Sequence, residues 1–129
     1  MTSEQVALLN CTHQIMTALI TKNVGLLNQM LAPSAEYTPL DGHPVSKYDW
    51  IDMVQNDTLL YLDFSTISTP KINGNHGSLC MPTQIQFASN RPATVQLQWT
   101  FIADNHRWLL ISQVAHQNQS EKPISRFTN

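Results

Sequence analysis

Apolar residues recur at helical spacing through the first half of the chain. They predict a long first helix from Ser3 to about Thr21, with the wide apolar stripe of a helix that packs on a sheet. Asn23 is a suitable N-cap for a short second helix, Val24 to Leu31, and Pro33 ends it. The S-x-x-D sequence that begins at Ser46 resembles a capping box and predicts a third helix to about Asn56.

The second half changes to the two-residue period of β-strands. Extended runs are predicted at Ala35–Thr38, Leu59–Thr69, Gly77–Ala88, Val95–Phe101 and Arg107–Gln117. Helices followed by hairpin-connected strands predict an α+β fold, in which a bent antiparallel sheet wraps around the N-terminal helix. The expected concave face carries Leu79, Met81, Ile85, Phe87, Val95, Leu97, Trp99 and Phe101. The expected convex face carries Gln84, Gln86, Gln96 and Gln98.

Charged residues are scarce in this sequence. They make up 12% of the 129 residues, against about 25% in an average soluble domain. Ser, Thr, Asn and Gln together supply 43 residues, so uncharged groups provide most of the polarity. The net charge of −2 and the lack of Lys/Arg clusters argue against nucleic-acid binding and against an anionic membrane surface.

One domain is expected from residue 1 to residue 117, followed by a loose C-terminal tail over 118–129. No signal-peptide pattern begins the sequence, and we therefore expect a cytoplasmic protein whose Cys11 and Cys80 are free thiols.

Several segments in this order resemble the nuclear transport factor 2-like superfamily, in particular its SnoaL-like and ketosteroid-isomerase-like small proteins. They are Lys22–Leu27, Met30–Pro33, Ala35–Thr38, Asp41–Gly42 and Asn105–Gln113. The resemblance implies a cone open at one end and a homodimer formed through the outer sheet face. The superfamily contains isomerases, cyclases, dehydratases and non-enzymatic binding modules, so the fold alone does not assign an activity. The position of the isomerases' acidic base falls on Pro39, which cannot abstract a proton.

Aromatic residues are the candidate walls of a ligand pocket. Tyr37, Trp50, Tyr61 and Trp99 have this role if they line the cone, and they are ordinary core residues if they fill it. Gln113 can orient a ligand carbonyl if its face of the last strand is concave.

Asp63 and His116 are the candidate acid–base residues. Burial in the cone would raise the pKa of Asp63 into a useful range, and histidine titrates near neutral pH. The alternatives are an outward-facing Asp63 and an exposed His116 at a strand end. Moreover, His116 and Gln113 cannot both point inward unless the strand contains a bulge. No metal site or cofactor is expected, because metal-ligand spacings and glycine-rich phosphate loops are missing from the sequence.

The pattern favours a small protein that binds an apolar small molecule in a cone-shaped pocket. Acid–base activity of the isomerase, cyclase or dehydratase type is a further hypothesis, and the sequence leaves open whether the chain is an enzyme. The alternative is a non-catalytic homodimeric binding or assembly module that uses the glutamine-bearing convex face.

Overall fold

The computed structural model describes residues 1–117, and the predicted tail over 118–129 lies outside them. Three helices and seven strands follow one another in this order: α1 (Ser3–Thr21), α2 (Val24–Met30), β1 (Leu31–Thr38), β2 (Val45–Ser46), α3 (Lys47–Gln55), β3 (Leu59–Phe64), β4 (Lys71–Asn73), β5 (His76–Phe87), β6 (Ala93–Asp104) and β7 (Arg107–Gln117). None of these helices is long and apolar enough to cross a membrane.

Side chains at the helix starts satisfy backbone N–H groups, as predicted at Asn23 and Ser46. Thr2 and Gln5 form a reciprocal capping box at the start of α1. The side-chain oxygen of Asn23 accepts from the Leu26 N–H in α2, and that of Ser46 accepts from the Asp49 N–H in α3. The second helix ends one residue earlier than predicted, because Leu31 already pairs with β7 as the first residue of β1.

The strands form one curled, mixed sheet in the order β2-β1-β7-β6-β5-β3, with β4 paired to β5. The α+β class is confirmed. The sheet is not wholly antiparallel, however, because β1 runs parallel to β7. The chain reaches that position through the α3–β6 segments, a long crossover that a parallel neighbour requires.

The concave face of the sheet and the buried side of α1 form the core. Seven of the eight predicted concave residues are buried, and Phe87 is half-buried. From α1, Leu8, Ile15 and Leu19 are at most 2% exposed. Gln84 and Gln98 are exposed on the opposite face, and Gln86 and Gln96 are half-buried there.

Candidate functional site

Four side chains form a hydrogen-bonded chain inside the curled sheet, which we call the interior network. The indole Nε1 of Trp99 (β6) donates to Oε1 of Gln113 (β7) across 2.9 Å. Nε2 of Gln113 donates to the hydroxyl oxygen of Tyr61 (β3) across 2.8 Å. The indole Nε1 of Trp50 (α3) donates to the same oxygen across 3.0 Å. The interior network therefore joins one helix to three strands.

The direction of these hydrogen bonds follows from the chemistry of the groups. An indole N–H can only donate, so the Gln113 atom that faces Trp99 must be the amide oxygen. The amide nitrogen then faces Tyr61, which also receives the N–H of Trp50. Both partners of the Tyr61 oxygen are donors, and neither of them can accept the phenolic proton.

Tyr37 stands beside the interior network with its hydroxyl group unpartnered. It lies opposite Gln113 in the β1–β7 register, and its ring centroid is 5.6 Å from that of Trp50. The residue is fully buried, and its hydroxyl oxygen has no hydrogen-bond partner in the described part of the chain. An unpaired buried hydroxyl is uncommon in native proteins, so this group calls for a physical explanation.

Both phenols keep their protons at neutral pH. Burial raises the pKa of Tyr37, and the negative charge of Asp41 raises it further. Burial also raises the pKa of Tyr61, with a smaller contribution from Tyr37. Each hydroxyl is therefore available as a hydrogen-bond donor.

A β-bulge in β3 brings a further aromatic residue, Phe64, to the interior. The register shifts between Tyr61 and Asp63, so Asp63 lies opposite Gln84 and Phe64 opposite the fully buried Thr83. Phe64 stacks on Tyr61 with ring centroids 5.7 Å apart and meets the edge of Trp99 at 5.9 Å. Strict alternation along β3 would put Phe64 and Tyr61 on opposite faces, so alternation alone does not predict that both rings point inward.

A second bulge, in β7, determines which face of the last strand is concave. Thr100 pairs with Ser112 but Phe101 pairs with Leu110, so Ile111 is the extra residue. Leu110 before the bulge and Gln113 after it are both buried, although their sequence separation is odd. Gln113 thus points inward and His116 outward.

The structure brings together all five residues that were predicted to bind a ligand. Their exposure is 0% for Tyr37 and Trp99, 1% for Trp50 and Gln113, and 4% for Tyr61. They form one buried cluster, lined by aromatic rings and crossed by the interior network. Whether this cluster binds a ligand stays a prediction.

The two predicted acid–base residues are not part of this cluster. Asp63 is exposed, because the bulge turns it to the outer face. His116 is exposed at the end of β7, where its Nε2 lies 3.3 Å from Oε1 of Gln98. A group at either position cannot reach the interior network, so their predicted catalytic role has no support from geometry.

Near the interior cluster, the connection after β1 carries a carboxylate. Asp41 is exposed in the turn that follows Pro39, and its Oδ1 accepts from the His43 N–H across 2.9 Å. This backbone hydrogen bond is the main cause that lowers the pKa of Asp41. Asp41 is therefore negatively charged at neutral pH and contributes to the potential at Tyr37.

Within residues 1–117, no group of three or more His, Cys, Asp or Glu side chains could hold a metal ion. The three most prominent cavities on these residues lie at the surface, and none of the three is lined by Tyr37 or by the interior network. In the structure, the chain's own side chains occupy the interior.

No protein-family model matches the sequence, and no curated protein matches it either. The fold, in contrast, is shared with many solved structures. A nuclear transport factor 2-like protein from Cytophaga hutchinsonii is 15% identical, with a TM-score of 0.78 over 92% of this chain and 100% of its own. A cystatin-like fold protein from Caulobacter vibrioides is 12% identical, with a TM-score of 0.74 over 97% and 100%.

A Novosphingobium aromaticivorans protein proposed to be a scytalone dehydratase is 9% identical, with a TM-score of 0.71 over 90% of this chain and 85% of its own. These similarities confirm the nuclear transport factor 2-like, or cystatin-like, fold that the sequence resemblance implied. At such identities they do not transfer an activity.

Proposed function

We propose that this chain binds a small, largely apolar molecule inside the curled sheet, in contact with Tyr37 and the interior network. The observation that carries the proposal is the fully buried Tyr37 hydroxyl, which has no hydrogen-bond partner among residues 1–117. A buried hydroxyl that lacks a hydrogen bond costs about 1–3 kcal/mol, which phenylalanine at the same position would avoid. A ligand that offers a polar atom to Tyr37 would offset this cost.

The surroundings of Tyr37 match a ligand site of the usual kind. Such sites have mainly aromatic and apolar walls, with a few polar groups that fix the orientation of the ligand. Here Trp50, Phe64 and Trp99 supply apolar surface, while Tyr61 and Gln113 supply polar atoms. The chain's own side chains fill the interior, so a ligand has to displace some of them when it binds.

Binding without acid–base catalysis agrees best with the placement of the titratable groups. The interior cluster contains two phenols whose pKa values are raised, and it contains no carboxylate or imidazole. One structure of similar fold is proposed to be a scytalone dehydratase, but Asp63 and His116 of this chain are exposed on the outside. A catalytic role would need a different acid–base pair.

Indole NMR signals offer a direct test, because the chain has three tryptophans and two of them belong to the interior network. We would titrate protein labelled with ¹⁵N at tryptophan with ethylbenzene and with acetophenone. Saturable shifts of the Trp50 and Trp99 Nε1–H signals are expected. Trp108 lines a surface cavity beside α1 and serves as the internal reference. If both compounds leave the Trp50 and Trp99 signals unmoved, the proposal is refuted, whether or not Trp108 shifts.

A second function, self-association through the convex face, has its own supporting observation. Where β5, β6 and β7 pair, from Ser78 to His116, the outward-facing side chains include no Asp, Glu, Lys or Arg. Charged residues are depleted at interface cores, because removing them from water is costly. This face is therefore suited to a homodimer, which can coexist with a ligand in the interior.

Charge-introducing substitutions test the convex face. Sedimentation velocity is expected to show a dimer for the native chain and a monomer for Gln96→Lys combined with Gln98→Lys. The matched control is Gln55→Lys, at an exposed position of α3, which should remain dimeric. A native chain that is strictly monomeric, or a double variant that still dimerises, would contradict this proposal.

A further inference from the structure

The largest of the three surface cavities lies outside the curled sheet's interior, between α1, α2 and the β6–β7 hairpin. We call it the hairpin cavity. Its volume is about 820 Å³, within the range of about 300–1,000 Å³ that is usual for ligand pockets. No residue of the interior network lines it, so the proposed function does not use it.

The floor of the hairpin cavity is apolar, and contacts between α1 and the sheet hold it in place. Cys11 and Trp108 are buried there, and Leu26 and Met30 of α2 are half-buried. The Cys11 thiol donates to the backbone oxygen of Trp108 across 3.4 Å, which joins the helix to β7. The six-membered ring of Trp108 packs on Gly77, where an added Cβ would lie 3.5 Å from it. The floor is therefore formed before any ligand arrives.

This floor contains an unpaired hydrogen-bond donor, the indole N–H of Trp108. Trp50 and Trp99 donate to interior partners, whereas Trp108 donates to no group in residues 1–117. Within the same residues, the Tyr37 hydroxyl is the one fully buried side-chain polar group without a partner. The Trp108 nitrogen is therefore accessible, although the residue as a whole is only 9% exposed. An acceptor on a ligand in the cavity would complete its hydrogen bonding.

Side-chain amides surround this floor. Asn10 and Gln14 of α1, Gln29 of α2 and Asn105 of the hairpin turn line the cavity and are exposed at its rim. None of these four amides forms a side-chain hydrogen bond within the described part of the chain. Each offers two N–H donors and an oxygen with two lone pairs, and hydroxyl groups likewise both donate and accept. The rim therefore suits a ligand that carries many hydroxyl groups.

Charge at the rim favours a neutral ligand. The acidic residues Glu4 and Asp104 outnumber the one basic residue, Arg107, so a phosphate or carboxylate on a ligand would be repelled. Stacking of a planar base is disfavoured as well. At 9% exposure, Trp108 leaves little of its ring face free for such a contact.

We propose that the hairpin cavity is a second binding site, and that it takes a short, neutral oligosaccharide. The C–H face of a pyranose ring packs on the apolar floor, and its hydroxyl groups reach the rim amides. One hydroxyl oxygen accepts the indole N–H of Trp108. The volume leaves room for more than one sugar unit. This site is separate from the interior network and does not depend on the proposed function.

The indole signal of Trp108 reports binding at this site, while Trp50 and Trp99 report the interior. Protein labelled with ¹⁵N at tryptophan would be titrated with four neutral disaccharides, cellobiose, maltose, lactose and sucrose. At least one should shift the Trp108 Nε1–H signal downfield and saturably, with Trp50 and Trp99 unmoved. Calorimetry should show that it binds at least about tenfold tighter than adenosine, a blocked triglycine peptide or glucose 6-phosphate.

Substitutions in the cavity supply the site-specific arm of the test. Gln14→Ala combined with Gln29→Ala removes two exposed rim amides and should weaken binding of that disaccharide by about tenfold. Trp108→Phe keeps an apolar ring without the N–H and should weaken it by about three- to tenfold. The matched control is Gln55→Ala, at an exposed position of α3 outside the cavity, which should change the affinity by less than about twofold.

Three results would overturn this proposal. The first is a Trp108 signal that none of the four disaccharides moves. The second is an affinity for adenosine, the peptide or glucose 6-phosphate that equals or exceeds that for every disaccharide, because the ligand class would then be a different one. The third is unchanged disaccharide binding in the double glutamine variant. None of them affects the interior site, which is tested with other compounds through Trp50 and Trp99.

Discussion

The two buried tyrosines should respond in opposite ways to the loss of a hydroxyl group. In the ligand-free chain, the buried Tyr37 hydroxyl has no partner in the part of the chain that the structure describes, whereas the Tyr61 oxygen accepts two hydrogen bonds. Tyr37→Phe therefore removes an unsatisfied polar group. Tyr61→Phe instead creates two, because the N–H groups of Trp50 and Gln113 lose their acceptor.

The expected magnitudes follow from these contacts. An unsatisfied buried polar group costs about 1–3 kcal/mol, and the lost oxygen also gives up some packing contacts. We therefore expect the free energy of unfolding to rise by about 1 kcal/mol in Tyr37→Phe. Two orphaned donors should lower it by about 2–4 kcal/mol in Tyr61→Phe. The corresponding change in melting temperature is about 4 °C per kcal/mol in a domain of this size.

Urea denaturation followed by tryptophan fluorescence and circular dichroism measures both changes. Tyr48→Phe is the matched control and should stay within about 0.5 kcal/mol of the native chain, because its side chain is largely exposed. A loss of stability in Tyr37→Phe similar to that in Tyr61→Phe would refute the reasoning. The Tyr37 hydroxyl would then have a hydrogen-bond partner in the ligand-free protein.

Three further predictions concern the rest of the fold. Gly77→Ala should lower the free energy of unfolding by about 1–3 kcal/mol in urea denaturation, because the added Cβ would lie 2.8 Å from Leu8 Cδ2 and 3.5 Å from the Trp108 ring; no loss would show that Leu8 moves freely. Lys47→Met should lower it by about 1–2 kcal/mol, since the carbonyls of Asn28 and Leu31 lose their donor; a more stable variant in the same assay would contradict this role. Burial raises the pKa of Cys11 from 9.0 to about 12, so the folded state holds this proton more tightly than the unfolded state. Stability should therefore fall as pH rises above about 9, by up to about 1.4 kcal/mol per pH unit, and the urea midpoint of Cys11→Ala should fall less steeply than that of the native chain.

Local signals in the sequence are sufficient to predict most elements of this fold. The caps at Asn23 and Ser46 mark helix starts, and the alternation from Val95 to Phe101 identifies a strand with one buried face. The aromatic residues of the cluster can be predicted as buried, because large rings are buried wherever a sheet curls around a core. Their burial agrees with both interpretations, core and pocket wall.

The two bulges could not be read from the sequence. An extra residue at Leu62 or Ile111 leaves no local composition signal, yet it reverses the faces of everything that follows on its strand. For this reason strict alternation puts Asp63 on the same face as Tyr61 and leaves the faces of Gln113 and His116 undecided. Similarly, the parallel pairing of β1 with β7 joins segments about 75 residues apart and depends on the closure of the whole sheet.

The central claim is that a small, largely apolar molecule binds inside the curled sheet in contact with Tyr37, and intermolecular nuclear Overhauser effects report that contact most directly. They would be recorded for the native chain with bound ethylbenzene. We predict cross-peaks from the ligand protons to the ring protons of Tyr37, Trp50 and Trp99. Cross-peaks to surface residues alone, or no cross-peaks, would contradict the claim.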